Sequence, residues 1–237
     1  EEAAGLKSIV VSSAAAANAV MMGSGYFNPL TGYMNLADSL AVAEKMETTS
    51  GLFFPVPIVN VVEDASGIEA GMRIALLDPN VDGNPVLAIQ TVDKVETATD
   101  EQMKFMTEKV YRTDDMDHPG VKAFNTVGKT FISGPIQVLN YSYFASEFPE
   151  TFRTAMEIRE LIEKNGWKKI VAFQTRNPMH RAHEELVRMA LERENADGAV
   201  IHMLLGKLKP GDIPADVRDA AIRKMVELYF PPNTVEI

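Results

Sequence analysis

Residues Ile170-Val-Ala-Phe-Gln-Thr-Arg-Asn-Pro-Met-His-Arg-Ala-His183 decide how the chain is read. Ile170–Phe173 is a short, wholly apolar run, the kind found in strands buried on both faces of a parallel sheet. The strand should end near Gln174, with Thr175 and Arg176 in a tight loop. Asn177-Pro178 then reads as a helix start, because Asn caps well and Pro suits the first helical position. Ligands of open α/β sheets sit beyond the carboxyl ends of strands, and helix N-termini attract phosphate and sulfate. Gln174 and Arg176 therefore stand where an oxyanion would stand. His180 and His183, three apart, share a helix face near that start and can donate toward bound phosphates.

Outward from this turn the pattern repeats. Pro149–Asn165 is expected to be helical, with Phe152, Ala155, Ile158, Leu161 and Ile162 on one stripe and Gly166 as the stop. Pro178–Glu194 is the second helix, Ala199–Leu204 a second buried strand, Pro214–Tyr229 a third helix and Thr234–Ile237 the start of a third strand. Strand and helix alternate as in a parallel α/β sheet. The loop Leu205-Gly-Lys-Leu-Lys-Pro-Gly-Asp212, with Lys207 and Lys209, follows the second strand and is either a phosphate-facing loop or a solvated basic one.

Residues 1–147 read differently, as a compact and mostly β domain. Pro55–Val62 is an apolar run whose prolines suit a strand start or edge. Arg73–Leu77 and Pro85–Val95 read as strands joined by the turn-forming residues Asp78–Asn84. Thr130–Leu139 is another strand, kinked or bulged at Gly134-Pro135. Helices are expected at Leu36–Met46 and Asp100–Val110. The chain thus divides into 1–147 and 148–237, with no internal repeat and no low-complexity linker.

Composition excludes several functions. Hydrophobic residues make up 46% and charged residues 24%, ordinary for a globular protein. The absence of cysteine removes disulfides, Cys-ligated zinc, iron–sulfur clusters and thiol catalysis. No stretch reaches the ~18 apolar residues of a membrane helix. The run Ile9–Met22 is broken by Ser12, Ser13 and Asn18 and follows acidic residues, so it is a poor secretory signal. A cytoplasmic protein is expected. The net charge is −10, and residues 1–150 hold nine basic against twenty acidic side chains. That half would repel a nucleic-acid backbone.

Two rival motifs fail on spacing. A zincin needs H-E-x-x-H, whereas His180 and His183 are at i, i+3 and Glu184 follows the second, so no metal ligand is assigned. Asn125–Thr130 imitates the end of a P-loop, but Ala123 stands where the first Gly belongs, and a strand follows instead of a helix. It is read as a turn between strands.

The run Gln174–His183 resembles the Q-x-R-N-P-x-H-x-x-H signature of ATP sulfurylases. Gly25-Tyr-Phe-Asn-Pro-Leu-Thr-Gly-Tyr-Met34 is similar to that family's G-x-F-S-P-L-x-G-F-M segment, with Asn28 in place of Ser. Asp117–Val121, Ser133–Ile136 and Lys209–Asp212 match as well, and the details look most like the bacterial enzymes of sulfur-oxidising metabolism. The resemblance implies a PUA-like β domain followed by a Rossmann-like nucleotidyltransferase domain. It implies the reaction of ATP with sulfate to give adenosine 5′-phosphosulfate and pyrophosphate, with Mg²⁺, in a homo-oligomer. Gln174 and Arg176 would bind sulfate, and Thr175, Arg176 and Asn177 would form the catalytic stretch. ATP would meet the same four residues together with His180 and His183. The family's G-R-D-H-A-G loop is missing from this sequence, so the reading frame is expected to continue past Ile237. Two alternatives stay open: an adenylyltransferase acting on a phosphorylated vitamin precursor, whose H-x-G-H motif is contradicted by Ala182, and an RNA-binding PUA-like module.

Overall fold

The computed structural model describes residues 2–205 and 211–237, so Lys207 and Lys209 lie outside the described residues. The chain forms two compact units, dividing between Thr154 and Ala155. The first contains β1 (Lys7–Val10), α1 (Ser13–Gly23), β2 (Gly32–Tyr33), α2 (Leu36–Lys45), β3 (Val61–Val62), β4 (Arg73–Leu77), β5 (Val86–Thr91), β6 (Lys94–Thr97), α3 (Asp100–Tyr111), α4 (Pro119–Asn125), β7 (Thr130–Val138) and α5 (Phe144–Glu147). The second contains α6 (Ala155–Lys164), β8 (Ile170–Thr175), α7 (Arg181–Glu194), β9 (Gly198–Met203), α8 (Ala215–Tyr229) and β10 (Val235–Glu236).

In the first unit the strands lie in the order β1-β4-β5-β7-β2, with β3 and β6 also paired to β7. Only β1 and β4 run parallel among these pairs. β7 is the organiser because it changes partner along its length. Thr130–Ser133 faces β6, Gly134 and Pro135 face β2, and Ile136–Val138 faces β5. Gly134 marks the change with φ of +129°, a conformation that L side chains rarely adopt. The kink expected at Gly134-Pro135 is therefore an exchange of partners.

Helix α1 comes from the run read above only as a poor membrane or signal segment. Ser12 caps it by accepting from the Ala15 amide at 3.1 Å, and Ala15, Ala16, Ala19 and Val20 are buried in the main core. The small side chains let the backbone come close: a Cβ on Gly23 would lie 2.6 Å from Val138 Cβ. Tyr33 then donates its hydroxyl to the Ala15 carbonyl at 2.7 Å. Helix α3 is fastened by a capping box of Thr99 and Gln102 and buries Met103 and Met106 against Phe131.

Three strand readings need correction. Of Pro55–Val62 only Val61 and Val62 are strand, because Pro55 and Pro57 have no amide to donate. Ile58 and Asn60 instead lend their carbonyls to Met34 and Ile132. The run Pro85–Val95 is two strands, broken where Val92 and Asp93 turn their amides to Met72 and Ser133. The segment before Thr130 connects helix α4 to a strand rather than strand to strand, with Gly128 at φ +105°.

In the second unit β10, β9 and β8 form a parallel sheet in that order, with α7 and α8 as the connections. Val187 of α7 and Ile222 of α8 bury themselves with Ala199 and Ile201 of β9. Gly198 leaves room for Trp167, since a Cβ there would be 2.2 Å from the indole, and Trp167 Nε1 donates to the Asn233 carbonyl at 3.1 Å. β8 is more open than its composition implies, with Ile170 38% exposed. The first helix of this region starts at Ala155, not Pro149. The preceding residues belong to the first unit, where Arg153 spends its guanidinium on the carbonyls of Phe152 and Glu150 and the Phe152 ring packs 5.1 Å from Tyr141. Among the described residues no helix is long and apolar enough to cross a membrane.

Candidate active site: the β8–α7 turn

Gln174 and Thr175 are the last two residues of β8, and α7 starts only at Arg181. Five residues therefore lie between strand and helix. Thr175 is buried, and its hydroxyl both donates to the Asn177 carbonyl at 3.0 Å and accepts from the Asn177 amide at 3.1 Å. That closed turn aligns the backbone of Arg176 and takes up the Thr175 hydroxyl. The helix cap is His180, in extended geometry at φ −133° and ψ 177°, not Asn177. Pro178 and the buried Met179 instead carry the chain from the turn to the helix.

The two histidines are arranged as cap and third helical residue. His183 Nδ1 accepts from the His180 amide at 3.2 Å, and the rings are 4.0 Å apart. With Nδ1 used as acceptor, the proton of neutral His183 sits on Nε2. Burial, and secondly the neighbouring His180, push the His183 pKa below its ordinary value. Phe173 covers the His183 ring edge-on at 5.9 Å. His183 is thus a neutral donor at a helix N-terminus, where the backbone amides also point.

Arg176 reaches out of the turn and is a third exposed. Its Nη2 meets Asp212 Oδ2 at 2.5 Å, with the aspartate side chain 14% exposed. This charge-assisted contact occupies the Nη2 arm of the guanidinium. Gln174 is exposed at the strand end, level with His202 on β9. Parallel register puts these two side chains on one face of the sheet. Glu184 is engaged by Arg181 and Arg188, each at 2.8 Å, so it is tied into an ion-pair cluster on α7. Among the described residues no three His, Cys, Asp or Glu side chains meet in a way that could hold a metal ion.

The six expected residues are spread over the end of β8 (Gln174, Thr175), the turn (Arg176, Asn177), the helix cap (His180) and the first turn of α7 (His183). Three neighbours were not singled out as site residues: His202, Asp212 and Arg218. The last was legible in principle, as an arginine four residues before Ile222 on the buried stripe of α8.

The PUA-like domain family matches residues 1–141, and the ATP-sulfurylase family matches residues 149–237. A sulfate adenylyltransferase of Allochromatium vinosum is 65% identical over the entire chain, which covers 59% of that protein. One of Alcanivorax borkumensis is 63% identical with the same coverage, and one of the Riftia pachyptila sulfur-oxidizing endosymbiont is 59% identical, with 54% of it covered. The chain spans little more than half the length of these relatives. Its fold matches a solved structure titled hexameric APS kinase from Thiobacillus denitrificans, with a TM-score of 0.69 at 22% identity, over 99% of this chain and 41% of that one. Residues 1–141 thus belong to the PUA-like domain family, and residues 149–237, with the signature on their strand-to-helix turn, match the ATP-sulfurylase family.

Proposed function

We propose that the protein is a sulfate adenylyltransferase, joining ATP and sulfate into adenosine 5′-phosphosulfate and pyrophosphate. The observation that carries this reading is the β8–α7 segment, where Arg176 holds the Asp212 carboxylate and His183, three residues into the neighbouring helix start, is a neutral donor. A sulfate oxygen attacks the α-phosphorus, and the bond to the bridging oxygen of pyrophosphate breaks, with no covalent enzyme intermediate. Arg176 and Gln174 hold sulfate, offsetting the repulsion between two anions. Thr175 holds the turn through Asn177, and the Asn177 side chain faces the nucleotide. His180 and His183 Nε2 donate to the phosphates and to the charge growing on pyrophosphate. Mg²⁺ arrives as the counter-ion of ATP. The same catalysis can run toward ATP in sulfur oxidation. We further place the protein in the cytoplasm as a homo-oligomer without nucleic-acid partners. The direct test is ATP formation from adenosine phosphosulfate and pyrophosphate by the full-length protein, with sulfate release measured alongside. Absence of both would overturn the assignment.

His180→Ala and His183→Ala should chiefly lower turnover, by about 10²-fold each, and change the KM for ATP less, because donors to developing charge act mostly in the transition state. The His183 pKa is lowered in the folded protein, so the folded state binds this proton less readily than the unfolded chain. Stability from this group is therefore complete above the ordinary imidazole range and is lost as pH falls through it. Protonation also breaks the Nδ1 bond to His180. The acid limb of kcat/KM, which reports the free enzyme, should lie below the ordinary imidazole range and vanish in His183→Ala. An unchanged acid limb in that variant would refute the role.

Asp212 competes with sulfate for Arg176. Asp212→Asn should lower the sulfate KM about 2- to 5-fold, the size of a partly exposed ion pair. A raised KM would mean instead that Asp212 orients the guanidinium for sulfate.

A further inference from the structure

Arg218 is 2% exposed on α8, in a stripe otherwise filled by Ile222 and Met225. Burying a guanidinium is strongly unfavourable unless its partners compensate. Its Nη1 donates to the Arg176 carbonyl at 3.0 Å and to the Leu204 carbonyl, and its Nε is buried with no hydrogen-bond partner among the described residues. The two acceptors belong to the two segments that leave the carboxyl ends of β8 and β9. Those segments are also joined directly, Leu204 amide to Thr175 carbonyl at 2.9 Å. A methionine or leucine would continue the apolar stripe without the desolvation cost, but it could not hold either carbonyl.

We infer that Arg218 is a positioning residue for the oxyanion turn, clamping the Arg176 and Leu204 carbonyls from below. The inference rests on the sulfate-binding reading of Arg176. Arg218 touches no substrate. It fixes the main chain from which Arg176 and Gln174 project, and it places a second positive charge behind the anion. A turn released by this clamp would let the guanidinium of Arg176 shift, and a displacement of about 1 Å at a reacting centre can cost about 10²-fold.

The experiment compares Arg218→Met and Arg218→Lys with the unchanged full-length protein, by steady-state kinetics and by hydrogen exchange. Arg218→Met should lower kcat/KM for sulfate by about 30- to 100-fold, and Arg218→Lys should recover about a tenfold part of that. Amide exchange should rise at Asn177 and Leu204 and stay unchanged along α7. A loss of rate that follows thermal unfolding alone, with exchange at the turn unchanged, would overturn the proposal. So would an Arg218→Met protein with normal kcat/KM. If Arg218→Met does not fold, Arg218→Lys decides, because an ammonium keeps the charge but loses the planar fork. Normal rate and normal exchange in that variant would likewise overturn it. Should the unchanged protein lack sulfate adenylyltransferase activity, the functional reading fails. The exchange measurement then still decides the clamp on its own.

Discussion

Arg176→Ala in the full-length protein should reduce both the formation of adenosine phosphosulfate and its pyrophosphate-dependent reversal by at least 10²–10³, about 3–4 kcal/mol. The side chain leaves a turn, not a core, so no cavity forms. What the turn itself needs is retained: the Arg176 carbonyl still accepts from Arg218, and Thr175 still closes on Asn177. The lost ion pair with Asp212 is partly exposed, so thermal stability should change by less than about 1 kcal/mol. The functional loss has two sources. The guanidinium holds the substrate anion, and it offsets the charge that accumulates as sulfate approaches the α-phosphate. Asp212 would also be left facing the incoming anion. Arg176→Lys should recover only part of the rate, because an ammonium cannot make the planar two-pronged contact. Both directions pass through one transition state, so they should fall together. Near-normal rates in either direction would show that sulfate binds elsewhere.

Gly134→Ala should cost stability on the order of 3–5 kcal/mol in the first unit, or prevent it from folding, through two separable causes. The residue sits at φ +129°, where a side chain is strained. In addition, the new Cβ would lie 2.1 Å from the Thr91 carbonyl oxygen and 2.8 Å from the Asp93 amide nitrogen. Neither neighbour can move away, because both are backbone at the point where β7 changes partner. Overpacking of this kind typically costs about 1–3 kcal/mol beyond the strain. Gly71→Ala is the matching control. Its φ is +87° with nothing within 4 Å of the added Cβ, so only the conformational part, about 1–2 kcal/mol, should appear. Urea unfolding of both variants separates the causes. Equal losses at the two positions would mean that the sheet accommodates the methyl group.

The candidate site was legible because its chemistry is local. One strand end, one turn and one helix start contain Gln174 to His183 within ten residues, so no long-range pairing had to be guessed. The error within it was equally local. Asn177-Pro178 satisfied the usual signals for a helix start, but the Thr175 hydroxyl captured the Asn177 main chain and moved the cap to His180. Asp212 and Arg218 are 36 and 42 residues from Arg176 in sequence, and their role exists only once β9 and α8 return to the turn.

The sequence by itself determined the alternation of strand and helix in the second unit, the strand-to-helix turn with its two histidines, and the mostly β character of the first unit. Each depends on residue type and spacing over a few neighbours. Tertiary structure alone decided that the alanine run after Ser12 is a core helix, since alanine is tolerated in many settings and the close packing beside Val138 selects one. It also decided that Pro85–Val95 breaks at Val92, because Met72 and Ser133 supply better-placed acceptors for those amides. It sent Phe152 to an aromatic cluster with Tyr141 and Phe144 instead of to a helix stripe. Last, it set a buried arginine beneath the turn, because only folding brings together two carbonyls that local structure leaves unbonded.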